Sequence, residues 1–202
     1  MSNPNTEYYH MQSFARSFKT IASLAVAAAL TVGASAAAAQ PTVEVGGMSM
    51  YPAKDIIDNA VNSKDHTTLV AAVKAAGLVD ALKGKGPFTV FAPVNSAFAA
   101  LPAGTVETLL MPENKAKLTS VLTYHVVAGN YDGAALEKAI KAGMGKATLK
   151  TLAGGMLTAR KNGARNIQIV DASGNVANIS TYDVKQSNGV IQVIDRVLLP
   201  GM

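Results

Sequence analysis

Gly86-Pro87-Phe88-Thr89-Val90-Phe91-Ala92-Pro93-Val94-Asn95-Ser96-Ala97-Phe98 is the stretch whose reading decides the fold. Phe88 to Ala92 is apolar and β-favouring, and it lies between Gly86-Pro87 and Pro93. That punctuation marks a short buried strand. Pro93 ends the strand, because it has no N–H to give to a ladder. Asn95 is a good helix cap, and the helix it starts carries Ala97, Phe98 and Leu101. Phe88, Val90, Phe91 and Phe98 are core candidates.

Upstream, Pro52 suits the first turn of a helix that carries Ile56, Ile57, Ala60 and Val61 at helical spacing. Thr67 or Thr68 caps a second helix with Leu69, Val70, Val73 and Ala76 on one face, and Gly77 stops it. Leu78, Val79 and Leu82 predict one further short turn before Gly84. Downstream, the spacing predicts helices over Thr105 to Leu110, from Pro112 to near Tyr124, and over Ala134 to Ala142, with His125 to Val127 turning into a strand.

From Ala147 the character changes. Ala147–Leu152, Met156–Lys161, Ile167–Val170, Val176–Val184 and Val190–Val197 read as strands, separated by Gly154-Gly155, Asn162-Gly163 and Ser173-Gly174-Asn175. Helices first and strands later, with one early strand, point to an α+β fold rather than alternating βαβ units.

Two more blocks stand in a fixed order behind the first: Leu122-Thr123-Tyr124-His125-Val126-Val127, and Asn188-Gly189-Val190-Ile191-Gln192-Val193-Ile194-Asp195-Arg196-Val197-Leu198-Leu199-Pro200. Together the three closely resemble the fasciclin domain, whose longer blocks bracket a central Tyr-His motif. The resemblance runs from about Tyr51 to Pro200. It implies a wedge-like two-sheet β-sandwich with several short helices packed on one side, in a single-domain member. It also implies a non-catalytic adhesion or interaction module with a protein, cell-surface or matrix partner.

In the resemblance, Tyr124 and His125 hold the Tyr-His position, implicated in integrin binding in some animal members. Asp183-Val184 stands where the animal family has an acidic residue followed by isoleucine. Here the aliphatic residue is valine, and Gln192 stands where histidine is common. The bland reading of all four is structural: a phenol and an imidazole at a helix–strand junction bond to backbone or to each other, and Asp183 ends a strand or makes a turn. Tyr124, His125, Asp183 and Val184 are the binding candidates.

Residues 1–39 read as a secretory signal peptide. Arg16 and Lys19 precede the apolar run Ile21 to Val32, and Ala34-Ser35-Ala36 and Ala37-Ala38-Ala39 give small residues at cleavage spacing. Met11 is an alternative start. Residues 40–50 read as a tether or extended N-terminal arm, with Met48 and Met50 as a hydrophobic plug, and residues 51–200 as the domain. The product is expected to be secreted or periplasmic, without stable membrane insertion after cleavage.

The chain has no cysteine, which excludes disulfides, thiolate metal sites and a cysteine nucleophile. A net charge of +5 is scattered, with tight clusters only at Lys83-Gly84-Lys85 and Arg160-Lys161, so nothing suggests a nucleic-acid patch. There is no Gly-x-Ser-x-Gly elbow and no metal-binding His-Glu spacing, and no cofactor is implied. Asn178-Ile179-Ser180 fits a glycosylation acceptor. The alternative to adhesion is a soluble small-ligand-binding module of the cell envelope, with an apolar cleft between sheet and helices.

Overall fold

The computed structural model describes residues 42–201. The proposed signal peptide lies outside them. Val43–Val45 (β1) and Met48–Met50 (β2) pair as an antiparallel hairpin. The segment expected as a tether is therefore structured: Val45 and Met50 are buried in the core, whereas Met48 is exposed. Gly46 makes the tight turn possible. Its φ is +62°, and a Cβ there would stand 2.7 Å from the Asp65 nitrogen.

A helical layer follows. Ile56–Ala60 (α1) begins at Asp55, whose carboxylate accepts from the Asp58 N–H at 2.8 Å. A 3₁₀ turn over Lys64–His66 leads into Thr67–Ala76 (α2), which Gly77 ends at φ +73°. Val79–Lys83 (α3) precedes Phe88–Pro93 (β3). After Asn95–Ala99 (α4) come Thr105–Leu110 (α5), a 3₁₀ turn at Pro112–Asn114, Lys115–Tyr124 (α6), Val126–Ala128 (β4) and Gly133–Ala142 (α7). Neither expected helix cap is used as its local sequence suggests. Asn95 caps no helix of its own. Its Oδ1 accepts from Thr68 N–H at 3.0 Å and Thr67 Oγ1 at 3.2 Å, so it caps α2 across the fold.

The remaining chain is strand: Lys146–Lys150 (β5), Met156–Asn162 (β6), Asn166–Val170 (β7), Val176–Gln186 (β8) and Gly189–Ile194 (β9). The last strand stops at Ile194, short of the expected Val197. The order in the seven-stranded sheet is β4-β3-β9-β8-β7-β6-β5. Only β3 and β9 run parallel, with Phe91 opposite Gln192. The two layers of the wedge are thus continuous through β8. Its start pairs with β7 and the rest with β9, with register shifts on either side of Thr181. At the far ends the sheet meets itself: Val127 bridges Thr151, and Leu152 N–H donates to the Val126 carbonyl at 2.8 Å.

Two apolar clusters fill the molecule. One lies between the helices and β3/β9 and includes Ile56, Leu69, Val73, Val90, Ala92, Leu122, Ile191 and Val193. The other lies inside the folded sheet and includes Phe91, Tyr124, Leu136, Ile140, Leu149, Leu157, Ile169 and Ile194. Side-chain alternation along β3 and β9 sends neighbours into opposite clusters, which is why these two strands are apolar almost without interruption. Asn188, just before β9, joins the helical layer to the sheet. Its Oδ1 accepts from Ile56 N–H at 3.1 Å, and its Nδ2 donates to the carbonyls of Leu82 and Gly84 at 2.8 and 3.1 Å.

Candidate functional site

Tyr124 is the last residue of α6 and is completely buried. Its hydroxyl donates to the Met156 carbonyl at 2.8 Å and accepts from the Ala172 N–H at 2.9 Å. Burial pushes the phenol above its ordinary pKa, the nearby Asp171 charge adds to that, and the Ala172 N–H opposes it. His125 is 2% exposed. Its Nε2 accepts from the Leu198 N–H at 2.9 Å, so Nδ1 carries the proton and donates to the Val121 carbonyl at 2.8 Å. Burial drives its pKa down to about 4, against the pull of the Val121 carbonyl and of Asp171. Both ring nitrogens are committed to backbone, and the imidazole is neutral at pH 7. Adjacent Asp171 completes this corner. Its carboxylate accepts from the N–H groups of Ser173, Asn175 and Leu199 at 2.8–2.9 Å, fixing the β7–β8 turn to the C-terminal segment.

Asp183 sits elsewhere, at the irregular stretch of β8, in the left-handed region at φ +58°. Its Oδ1 accepts from Gly133 N–H, the first residue of α7, at 2.7 Å, and from Gln192 Nε2 at 2.9 Å. Gln192, fully buried, returns Oε1 to the Asp183 N–H at 3.1 Å and donates Nε2 to the Tyr131 carbonyl at 3.1 Å. The carboxylate therefore holds a helix N-terminus against β9. Val184 is buried in the helical-layer core. Of the four sequence candidates, Tyr124, His125 and Val184 present no surface, and Asp183 is partly exposed. The structure does not bring Asp183 and Tyr124 together by any hydrogen bond.

The open surface lies on the outer face of β5–β8. Lys146 faces Arg160, Arg160 faces Gln168, and Gln168 faces Asn178 across successive strands. Arg160 Nε donates to Gln168 Oε1 at 3.2 Å, Gln168 Nε2 to Asn178 Oδ1 at 3.0 Å, and Asn178 Nδ2 to Asp195 Oδ2 at 2.8 Å. This polar row crosses the sheet, beside a second row of Thr148, Thr158, Val170 and Val176. Asp195 also accepts from the Asn178 backbone N–H at 2.8 Å through Oδ1. The amide nitrogen of the Asn178 glycosylation triplet is engaged in the same row. Sequence reading had not singled out this face, although the alternation of Lys146, Thr148 and Lys150 with buried Ala147 and Leu149 carries the signal.

The helical-layer core holds an apolar cavity of about 110 Å³. His66 lines it, 3% exposed, with Nδ1 2.9 Å from Ser63 Oγ and, among the described residues, no partner within hydrogen-bond distance of Nε2. Burial lowers the His66 pKa, opposed by the Ala92 carbonyl and Asp65. Among the described residues no group of three or more His, Cys, Asp or Glu is placed to hold a metal ion. No described helix is long and apolar enough to cross a membrane.

Residues 64–200 match the fasciclin domain, and the chain belongs to that family. It is 50% identical over 151 residues to protein sll1483 of Synechocystis sp., covering 74% of this chain and 76% of that protein. It is 36% identical over 192 residues to the cell surface glycolipoprotein MPB83 of Mycobacterium bovis, covering 90% of this chain and 77% of that one. The fold matches a FAS1 domain pair from the insect cell adhesion molecule fasciclin I, with a TM-score of 0.64 at 22% identity. That alignment covers 74% of this chain and 52% of the two-domain insect chain.

Proposed function

We propose that this protein is a secreted or periplasmic, non-catalytic module that attaches to a protein or cell-surface partner through the outer face of β5–β8. The carrying observation is the hydrogen-bonded polar row Arg160–Gln168–Asn178–Asp195, laid across one open sheet face. Side chains held by each other lose little further freedom on binding, which favours a pre-organised docking surface. Family membership and the cell-surface relative support the reading. The leader-like residues 1–39 support export. Tyr124, His125 and Val184 serve as internal supports in this scheme. Asp183, which has some surface, is the remaining candidate for direct contact.

The test is saturable binding of the purified protein to isolated cell envelopes and to matrix-coated surfaces, beside Arg160→Glu and Asp183→Asn variants shown to be folded. Loss with Arg160→Glu places attachment on the outer sheet face. Loss confined to Asp183→Asn moves it to the β8 irregularity. Absence of saturable binding by the unaltered protein defeats the adhesion reading.

A further inference from the structure

The polar row on the outer sheet face has a direction. Arg160 can only donate and the Asp195 carboxylate can only accept, so the two amides between them are held in one orientation. Arg160 Nε donates to Gln168 Oε1, Gln168 Nε2 to Asn178 Oδ1 and Asn178 Nδ2 to Asp195 Oδ2, at 3.2, 3.0 and 2.8 Å. The other Asp195 oxygen accepts from the Asn178 backbone N–H at 2.8 Å. Each side-chain oxygen of the row is thus engaged within it. What the row offers outward is N–H: the remaining hydrogens of the two amides, the Lys146 ammonium, and the end-on fork of the Arg160 guanidinium, since only Nε of that group is used.

The charge around the row has one sign. From Lys146 to Val170, the span of β5, β6 and β7, the chain carries Lys146, Lys150, Arg160, Lys161 and Arg165 and no Asp or Glu. Lys161 stands opposite buried Ile167, on the inner side of its strand, and pairs with Glu137 at 3.1 Å. Lys146, Lys150 and Arg160 are exposed on the outer side and make no ion pair among the described residues. Lys146 and Arg160 face each other directly across β5 and β6. Like charges so placed are destabilising, and an anion set between them removes that repulsion.

These donors fit a ligand built of acceptors and negative charge. They run in a line over four strands, at ~4.8 Å per strand, so the ligand is an extended chain of acceptor groups rather than one small ion. The free guanidinium fork matches a carboxylate, and the amide hydrogens match hydroxyls. Neither this row nor the neighbouring Thr148–Thr158–Val170–Val176 row carries an aromatic ring, so bases have no stacking platform. Exposed Met156 stands opposite Lys150 in a third row, too little long apolar side chain to enter a lipid layer.

We propose that the row binds a linear, carboxylate-bearing polysaccharide, with the carboxylates on Lys146 and Arg160 and the hydroxyls on Gln168 and Asn178. This rests on the outer face being the docking surface, and it names the chemistry of the partner.

Polygalacturonate is the probe and dextran its uncharged control. With the purified protein, polygalacturonate is expected to bind saturably and more weakly as salt is raised, and dextran not to bind. Lys146→Gln/Arg160→Gln is expected to weaken binding by about tenfold. Lys115→Gln/Lys117→Gln removes the same charge from exposed positions of α6 and is expected to weaken it by less than about twofold. In the unaltered protein, polygalacturonate is expected to shift the side-chain amide NMR resonances of Gln168 and Asn178, a readout that needs no variant. Equal losses in the two double variants mean general attraction to a basic protein and overturn the proposal. So do unmoved amide resonances, dextran binding of equal strength, or tighter binding of duplex DNA or phosphatidylglycerol vesicles through the same residues. If cell envelopes bind and lose binding with Arg160→Glu while polygalacturonate does not bind, the docking face stands and the polysaccharide falls. If neither binds, both fall.

Discussion

β3 and β9 lie between two apolar layers, whereas β5, β6 and β7 have an apolar layer on one face and water on the other. The burial along the chain records this directly. Val90 to Pro93 and Val190 to Ile194 are buried residue after residue, while Lys146 to Lys150 alternates exposed and buried. The inner pair has no position that can change without disturbing a core. The outer strands have every second position free for an interaction surface. The same sheet is thus rigidly specified at one end and open to variation at the other.

Substitutions can break or sharpen this contrast. Phe91→Ala, in the middle of β3 and fully buried, is expected to cost about 4 kcal/mol in denaturant unfolding, from lost burial plus a cavity. A cost under about 1 kcal/mol there would deny the inner pair its special status. The next effect is on pH. The folded state holds His125 at a pKa of about 4 against an ordinary 6.5, so on acidification the unfolded chain takes up the proton first. Stability is complete above about pH 6.5 and falls as pH drops toward 4, by on the order of 3 kcal/mol. Urea midpoints measured across that range should show the slope, and a folded His125→Gln variant should flatten it.

Asn188→Ala removes three hydrogen bonds that tie α1 and α3 to the start of β9. About 2 kcal/mol of destabilisation is expected by the same assay. Asp183→Ala loses the contacts to Gly133 and Gln192 and leaves a positive φ on a residue less suited to it, for about 1–2 kcal/mol. Hydrogen exchange should then rise first at the start of α7. Thr158→Ala, on the outer face, is expected to change stability by less than about 0.5 kcal/mol. A larger effect would mean that the face is part of the core's support rather than a free surface.

What could be read from the amino acids follows the same division. β3 and β9 were legible because two-sided burial forces an apolar run, and the strand–helix order of the whole domain followed from spacing and turn residues. Asn95 shows where local reading stops. Its type announces a cap, but the N–H it caps belongs to Thr68, 27 residues earlier in sequence, and no local pattern encodes that. Tyr124 and His125 were legible as groups needing a partner in the backbone or in each other, and the backbone supplies it. The partners themselves, Met156, Ala172, Val121 and Leu198, are set by the way the sheet folds back on itself. The structure of residues 43–50 was missed because two three-residue strands leave too short a pattern, although Gly46-Gly47 marks their turn. An apolar cleft between sheet and helices was expected, but its lining was not readable, since it is a property of how side chains from several elements fail to fill one volume.

The bridge from Val127 to Thr151, with the Leu152-to-Val126 hydrogen bond beside it, joins the outermost strands of the sheet, β4 and β5. Where the margins meet, those backbone groups are already paired and are not open to a neighbouring chain. Crowded copies of the domain therefore meet no open strand edge at that corner, and contact there is left to side chains.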